Sequence, residues 1–142
     1  MELRSGSQRP VVHDARTPGL LPAAASIGAG VIHALVVPEH LEEWWLFGAF
    51  FVLCAAFQMA WGVAWIVAPS TGLARVAIVG NGAMVAVWAA SRSAGLPIGP
   101  EPWIAESIGS LDLLATGLEL FIVVAAAHAL RAAAARRHAD PV

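Results

Sequence analysis

Four long apolar runs constrain the fold of this chain more than any other feature of its sequence. They cover about residues 20–37, 44–67, 73–90 and 108–130, and a helix needs about 20 mostly apolar residues to cross the hydrocarbon core of a bilayer. The chain is 58% hydrophobic and 13% charged, outside the usual range of soluble globular proteins. We therefore predict an all-α integral membrane protein, a four-helix bundle made of two tandem helical hairpins.

Prolines and the composition of the flanking segments set the predicted ends of the bundle. Pro38 and Pro69 follow the first and second runs, and we expect each helix to stop before its proline because proline cannot donate a backbone hydrogen bond. Residues 1–19 and 131–142 are rich in Arg, Pro, Ala and polar residues. They are predicted to form flexible tails around a bundle of residues 20–130.

Arginine residues are distributed unevenly between the connecting segments. The two tails and the turn after the second run hold Arg4, Arg9, Arg16, Arg75, Arg131, Arg136 and Arg137. The positive-inside rule places these three regions in the cytoplasm, which predicts a multi-pass protein of the cytoplasmic membrane with both termini inside. The segment with Glu39, Glu42 and Glu43 and the loop "SRSAGLPIGPEPWIAES" then face outward.

The sequence lacks the residues that several classes of function require. The formal net charge is only −2 and no dense basic run is present, so we do not predict nucleic-acid binding. Cys54 is the single cysteine, which rules out an internal disulfide and a cysteine-rich metal motif. The sequence has no lysine, no GxSxG and no GxxxxGK[ST] stretch, and we do not predict an enzyme.

Polar residues recur at helical spacing inside the apolar runs, so each helix can turn one polar face inward. A polar group that faces lipid without a partner is costly. We therefore predict an inward pocket that opens toward the outer face. The polar residues that we assign to it are His33, His40, Glu43, Gln58, Asn81, Arg92, Asp112, Thr116 and Glu119.

The leading hypothesis for this pocket is the binding of a divalent metal or of another small cationic ligand. Imidazole and carboxylate groups suit zinc, iron, manganese or copper, and facing helices of bundles supply such sites. The predicted ligands are His33, His40, Glu43, Asp112 and Glu119, and the predicted supporting residues are Arg92, Gln58, Asn81 and Thr116. No HExxH, ExxH or CxxC motif identifies a particular metal.

Two other interpretations of the same residues stay open. In the first, Arg92 pairs with Asp112 or Glu43, His33 bonds a neighbour, and the protein is a purely structural partner in the membrane. In the second, Glu119 lies near the middle of the membrane beside Gln58 or Asn81 and conducts protons or ions together with Asp112. The binding hypothesis includes a role as an accessory subunit of a larger membrane complex, and a homo-oligomer is compatible with all three interpretations.

The segments "PEHLEEWWLFGAFF", "SRSAGLPIGP" and "SLDLLATGLEL" resemble those of a group of small, uncharacterised four-span membrane proteins of high-GC, actinobacterial-type bacteria. The resemblance covers about residues 27–124. It implies a four-helix fold in a bacterial inner membrane and implies no activity.

Overall fold

The computed structural model describes residues 19–139 and contains helices but no strand within that range. The helices are α1 (Leu20–Glu43), α2 (Trp45–Val67), α3 (Thr71–Ser93) and α4 (Ser110–Ala139). Each one is long and apolar enough to cross a membrane. The predicted all-α four-helix bundle is confirmed.

Helix α1 does not stop at Pro38, contrary to our prediction. The proline removes one backbone donor, but the helix continues to Glu43 and ends where Trp44 adopts extended dihedral angles (φ −164°, ψ 129°). The segment "PEHLEE" therefore forms the last turns of α1 rather than a loop. Trp44 alone joins α1 to α2, and Gly48 makes this tight hairpin feasible because a Cβ atom there would lie 2.3 Å from the Leu41 side chain.

Helix α4 continues nine residues beyond the expected end at Leu130. Residues 132–135 are all alanine, the residue with the highest helix propensity. Arg136, Arg137 and His138 occupy the last turn, where positive charge interacts favourably with the helix dipole. The predicted N-terminal tail, apart from Gly19, and residues 140–142 lie outside the described residues.

The helices pack as two hairpins side by side. Helix α1 packs most closely on α2, α3 packs on α4, and α1 also contacts α4, whereas α2 and α3 touch least. The α3–α4 loop, residues 94–109, lies beside the α1–α2 junction, since Gly99 faces the Phe47 ring. We call this the loop end of the bundle, and the opposite end, where residues 68–70 join α2 to α3, the turn end.

The close-packed core lies at the turn end. Alanine residues 23, 74, 77 and 126 and Ile122 are almost fully buried there around Trp61 and Trp65. The two indole rings stack with their centroids 5.0 Å apart. The Trp61 Nε1–H also donates to the Leu73 backbone oxygen at 2.9 Å. Small side chains at the helix contacts thus allow close backbone approach, and the tryptophans fill the remaining space.

The contact between α1 and α2 predicts an effect of Gly62→Ala on stability. The new methyl group would lie 2.8 Å from Ile27 Cγ1 and 3.1 Å from the Ala23 backbone oxygen, so the helices must shift apart. We expect a loss of about 1–3 kcal/mol of stability, as for other overpacked cores, measured as earlier unfolding in mild detergent. Gly117→Ala is the matched control, because no heavy atom outside its own stretch of helix backbone lies within 4 Å of its added methyl group. Equal melting temperatures of the two variants would contradict this packing.

Candidate functional site

The four helices separate at the loop end around a cavity of about 80 Å³. Its walls are largely aromatic and apolar, with Phe47, Phe50 and Phe51 from α2 and Met84 and Trp88 from α3. A cavity needs only about 10–15 Å³ to hold one water molecule. The space is therefore large enough for several waters or for a small ligand.

A histidine and a glutamate meet at the inner end of this cavity. His33 Nε2 of α1 lies 2.9 Å from Glu119 Oε1 of α4, and their residues are only 7% and 2% exposed. The His33 ring also packs against Phe51, with ring centroids 5.7 Å apart. Both residues were predicted for the pocket, but Glu119 was expected near the middle of the membrane beside Gln58 or Asn81; in the structure its partner is His33.

Gln58 and Asn81 instead belong to a separate chain of hydrogen bonds nearer the turn end. Ser26 Oγ donates to the Gln58 backbone oxygen at 2.8 Å, Gln58 Nε2 donates to Asn81 Oδ1 at 2.9 Å, and Asn81 Nδ2 donates to the Ala77 backbone oxygen at 2.8 Å. Ser26, Gln58 and Asn81 are fully buried, and they do not line the cavity. Their contacts join α1, α2 and α3 in register.

Arg92 organises the mouth of the cavity. Its Nη2 group donates to Asp112 Oδ2 at 2.6 Å, and its Nη1 group donates to Glu106 of the loop and to Ser91 Oγ at 3.0 Å. The Arg92–Asp112 pair was one of the alternatives that the sequence left open. The Glu106 contact was missed, because loop conformation is not encoded in helical spacing.

Asp112 also fixes the start of α4. Its Oδ2 atom accepts a hydrogen bond from the Gly109 backbone N–H at 3.0 Å. Asp112 is the third residue of α4 and Gly109 precedes the helix, so this contact is one half of a capping box. One carboxylate therefore joins the end of α3, through Arg92, to the beginning of α4.

The remaining predicted site residues are divided between several environments. His40 lines the cavity, but its Nδ1 atom lies 2.8 Å from the Val36 oxygen of its own helix and its ring packs on Phe51. Thr116 is buried and also lines the cavity. Glu43 is exposed and belongs to a smaller depression beside the loop.

The five predicted metal ligands are thus not brought together. Among residues 19–139, no group of three or more His, Cys, Asp or Glu side chains is placed to hold a metal ion. His33 and Glu119 are adjacent, whereas Asp112 is bound to Arg92 and Glu43 lies in the other depression. The helical spacing of polar residues predicted which side chains face inward on each helix. It did not predict which of them lie at the same depth in the bundle.

The ionisable groups give the cavity a negative balance. At the mouth, one guanidinium, that of Arg92, faces two carboxylates, those of Glu106 and Asp112. At the inner end, within residues 19–139, the one ion-pair contact of Glu119 is with His33. An ionised Glu119 therefore has no guanidinium beside it, and its negative charge favours a cation in the cavity.

Comparisons with protein-family models, with curated proteins and with solved structures found no match to the chain.

The mouth geometry predicts that Arg92 immobilises the α3–α4 loop. Arg92→Met removes the bonds to Glu106 and Asp112 while keeping the length of the side chain. We expect faster proteolysis and faster amide exchange across residues 97–107 in this variant. Arg75→Met is the matched control, because Arg75 is exposed in the first turns of the same helix. Unchanged loop protection in Arg92→Met would show that other contacts hold the loop.

Proposed function

We propose that this protein is a small multi-pass membrane protein that binds a small organic cation in the cavity at its loop end. The observation that carries the proposal is the position of Glu119, a buried carboxylate at the inner end of a cavity with aromatic walls. A charged group this deep in a bundle is expensive to maintain. Such a residue is a default candidate for function in a membrane protein.

The walls of the cavity suit a cation as well as the carboxylate does. Aromatic faces attract ammonium and guanidinium groups, and more strongly where water is excluded. Phe50, Phe51 and Trp88 line the same space as Glu119. A cation there would receive one ionic contact from Glu119 and additional attraction from the rings.

The arrangement favours an organic cation over a metal ion. His33 and Glu119 supply two ligands at most at the inner end, whereas zinc in protein sites takes at least three from the protein. The cavity of about 80 Å³ is roughly half the size of the engineered cavity that takes up benzene. Ammonium, methylammonium and guanidinium match this size.

We also propose the orientation that the arginine distribution predicts. Arg75 lies near the turn end, on the same side as the arginines of α4 that follow Leu130, which supports a cytoplasmic turn end. The cavity would then open on the outer side of a bacterial cytoplasmic membrane. The resemblance to four-span proteins of high-GC bacteria supports the same location.

Methylammonium is the probe for the first test. With two heavy atoms at no more than about 1.5 kcal/mol each, it is expected to bind with a Kd in the millimolar range, measured by saturation-transfer NMR on protein in mild detergent. Glu119→Gln keeps the size of the side chain and removes its charge. We expect at least a tenfold weaker affinity in that variant.

Glu101→Gln is the matched control, because Glu101 is an exposed loop carboxylate outside the cavity. It should bind methylammonium like the unchanged protein. Equal weakening in both variants would indicate binding to surface charge and would refute the assignment of Glu119. Elemental analysis of protein purified without chelator tests the metal hypothesis, and stoichiometric zinc that is lost in His33→Ala would overturn the organic-cation proposal.

Proton transfer is a second candidate, favoured by the direct contact between two titratable groups, His33 and Glu119. In proteoliposomes with an imposed pH difference, this candidate predicts a proton flux that Glu119→Gln abolishes and Glu101→Gln leaves intact. The binding proposal predicts no flux above that of empty liposomes, because the packed core of Trp61, Trp65 and Ile122 closes the turn end.

A further inference from the structure

The boundary between α2 and α3 is the least packed of the four helix boundaries in the bundle. The close contacts across it lie toward the turn end. Gly80 faces the Phe57 ring, Gln58 bonds Asn81, and Trp61 bonds Leu73. Toward the loop end, the cavity lies between the two helices. We call the part of the boundary between Phe47 and Phe50 on α2 and Met84 and Val87 on α3 the seam.

The seam connects the cavity with the outer surface of the bundle. Val87 lines the cavity and is also 37% exposed, so one side chain contacts both the inner space and the surroundings. The surface on both sides is apolar, with exposed Val52 and Leu53 on α2 and Val79 on α3. Because α2 and α3 are both candidate membrane spans, this surface would contact acyl chains.

The size of the cavity limits which part of a ligand it can hold. A space of about 80 Å³ accommodates a head group of a few heavy atoms and no more, being smaller than the cavity that holds benzene. Any longer apolar part of the same molecule must lie elsewhere. The seam offers an apolar path between the cavity and the lipid along the spans of α2 and α3, whereas Leu111, which also lines the cavity and is 44% exposed, lies in the first turn of α4 at the loop end.

We propose that the ligand is a single-chain alkylammonium amphiphile, whose ammonium head lies beside Glu119 and whose chain passes through the seam into the bilayer. This inference rests on the proposed function, since it takes the same site and specifies its ligand. Partition into the membrane concentrates such a molecule beside the seam, which compensates for the few contacts that a small head group can make.

The charge of the site selects among amphiphiles. Glu119 attracts an ammonium head and repels a sulfate or carboxylate head. The cationic Arg92 is already bound by Glu106 and Asp112, so it offers no free positive charge to an anionic head. A neutral head of the same size would lose the ionic contact and keep only the apolar ones.

Decylammonium, decyl sulfate and methylammonium are the probes for this inference. Binding is measured in lipid nanodiscs from the tryptophan fluorescence of the protein, with partition into empty nanodiscs subtracted. We expect decylammonium to bind at least 30-fold more tightly than methylammonium, and decyl sulfate to give no saturable signal. Glu119→Gln should weaken the binding of both ammonium probes at least tenfold.

Val87→Phe tests the seam itself. The larger side chain narrows the path of the chain and also takes up part of the cavity wall, so we expect methylammonium affinity to fall and decylammonium affinity to fall at least tenfold more. Val79→Phe is the matched control, since Val79 is exposed on the same helix two turns away and does not line the cavity. It should leave both affinities unchanged.

The outcomes separate this inference from the proposal on which it rests. Equal affinities for methylammonium and decylammonium, or equal effects of Val87→Phe and Val79→Phe, would overturn the amphiphile and leave the cation site standing. Saturable binding of decyl sulfate would also overturn it, because the site would then not select a cationic head group. Failure of methylammonium and decylammonium alike would overturn both proposals.

Discussion

Polar side chains carried into an apolar bundle must find their partners within the protein, because lipid offers no hydrogen bonds. Two sets of polar contacts meet this requirement, and together they connect all four helices. The chain of Ser26, Gln58 and Asn81 joins α1, α2 and α3, and the pair of His33 and Glu119 joins α1 to α4. A shift of any helix along its axis would leave at least one of these groups unpaired, so the polar contacts fix the register that apolar packing alone leaves loose.

The two ends of the bundle differ because their side chains differ in size. At the turn end, Ala23, Gly62 and Ala77 allow the backbones to approach, and a close-packed core results. At the loop end, the large side chains of Phe50, Phe51 and Trp88 lie between the helices, and the space that they line is the cavity. Arg92 then binds the loop across its mouth. One bundle thus contains a sealed half and an open half, as expected of a site reached from one side.

The helices and their inward faces could be predicted from the sequence. The depth of each polar residue relative to those on the other helices could not. Apolar length predicts a membrane span almost directly, and the helical period correctly identified Gln58, Asn81 and Glu119 as buried. It could not pair them, because the partner of Glu119 depends on how α1 and α4 are offset along their axes. The proline rule also misplaced the end of α1, because Pro38 removes one hydrogen-bond donor but the helix continues to Glu43 and ends at Trp44. Glu106 was missed because its contact with Arg92 depends on a loop that has no periodic pattern.

The pairing of His33 with Glu119 connects the two candidate functions physically. One positive charge is enough to balance an ionised Glu119, and it can be a proton on His33 or a cation in the cavity. The two positive charges repel each other across a short distance in a medium of low dielectric constant. The proton of the second candidate function and the organic cation of the first are therefore alternatives for the same carboxylate. Both candidate functions thus depend on Glu119, and they differ at the turn end, where the packed core of Trp61, Trp65 and Ile122 would have to let a proton pass but need not admit a bound cation.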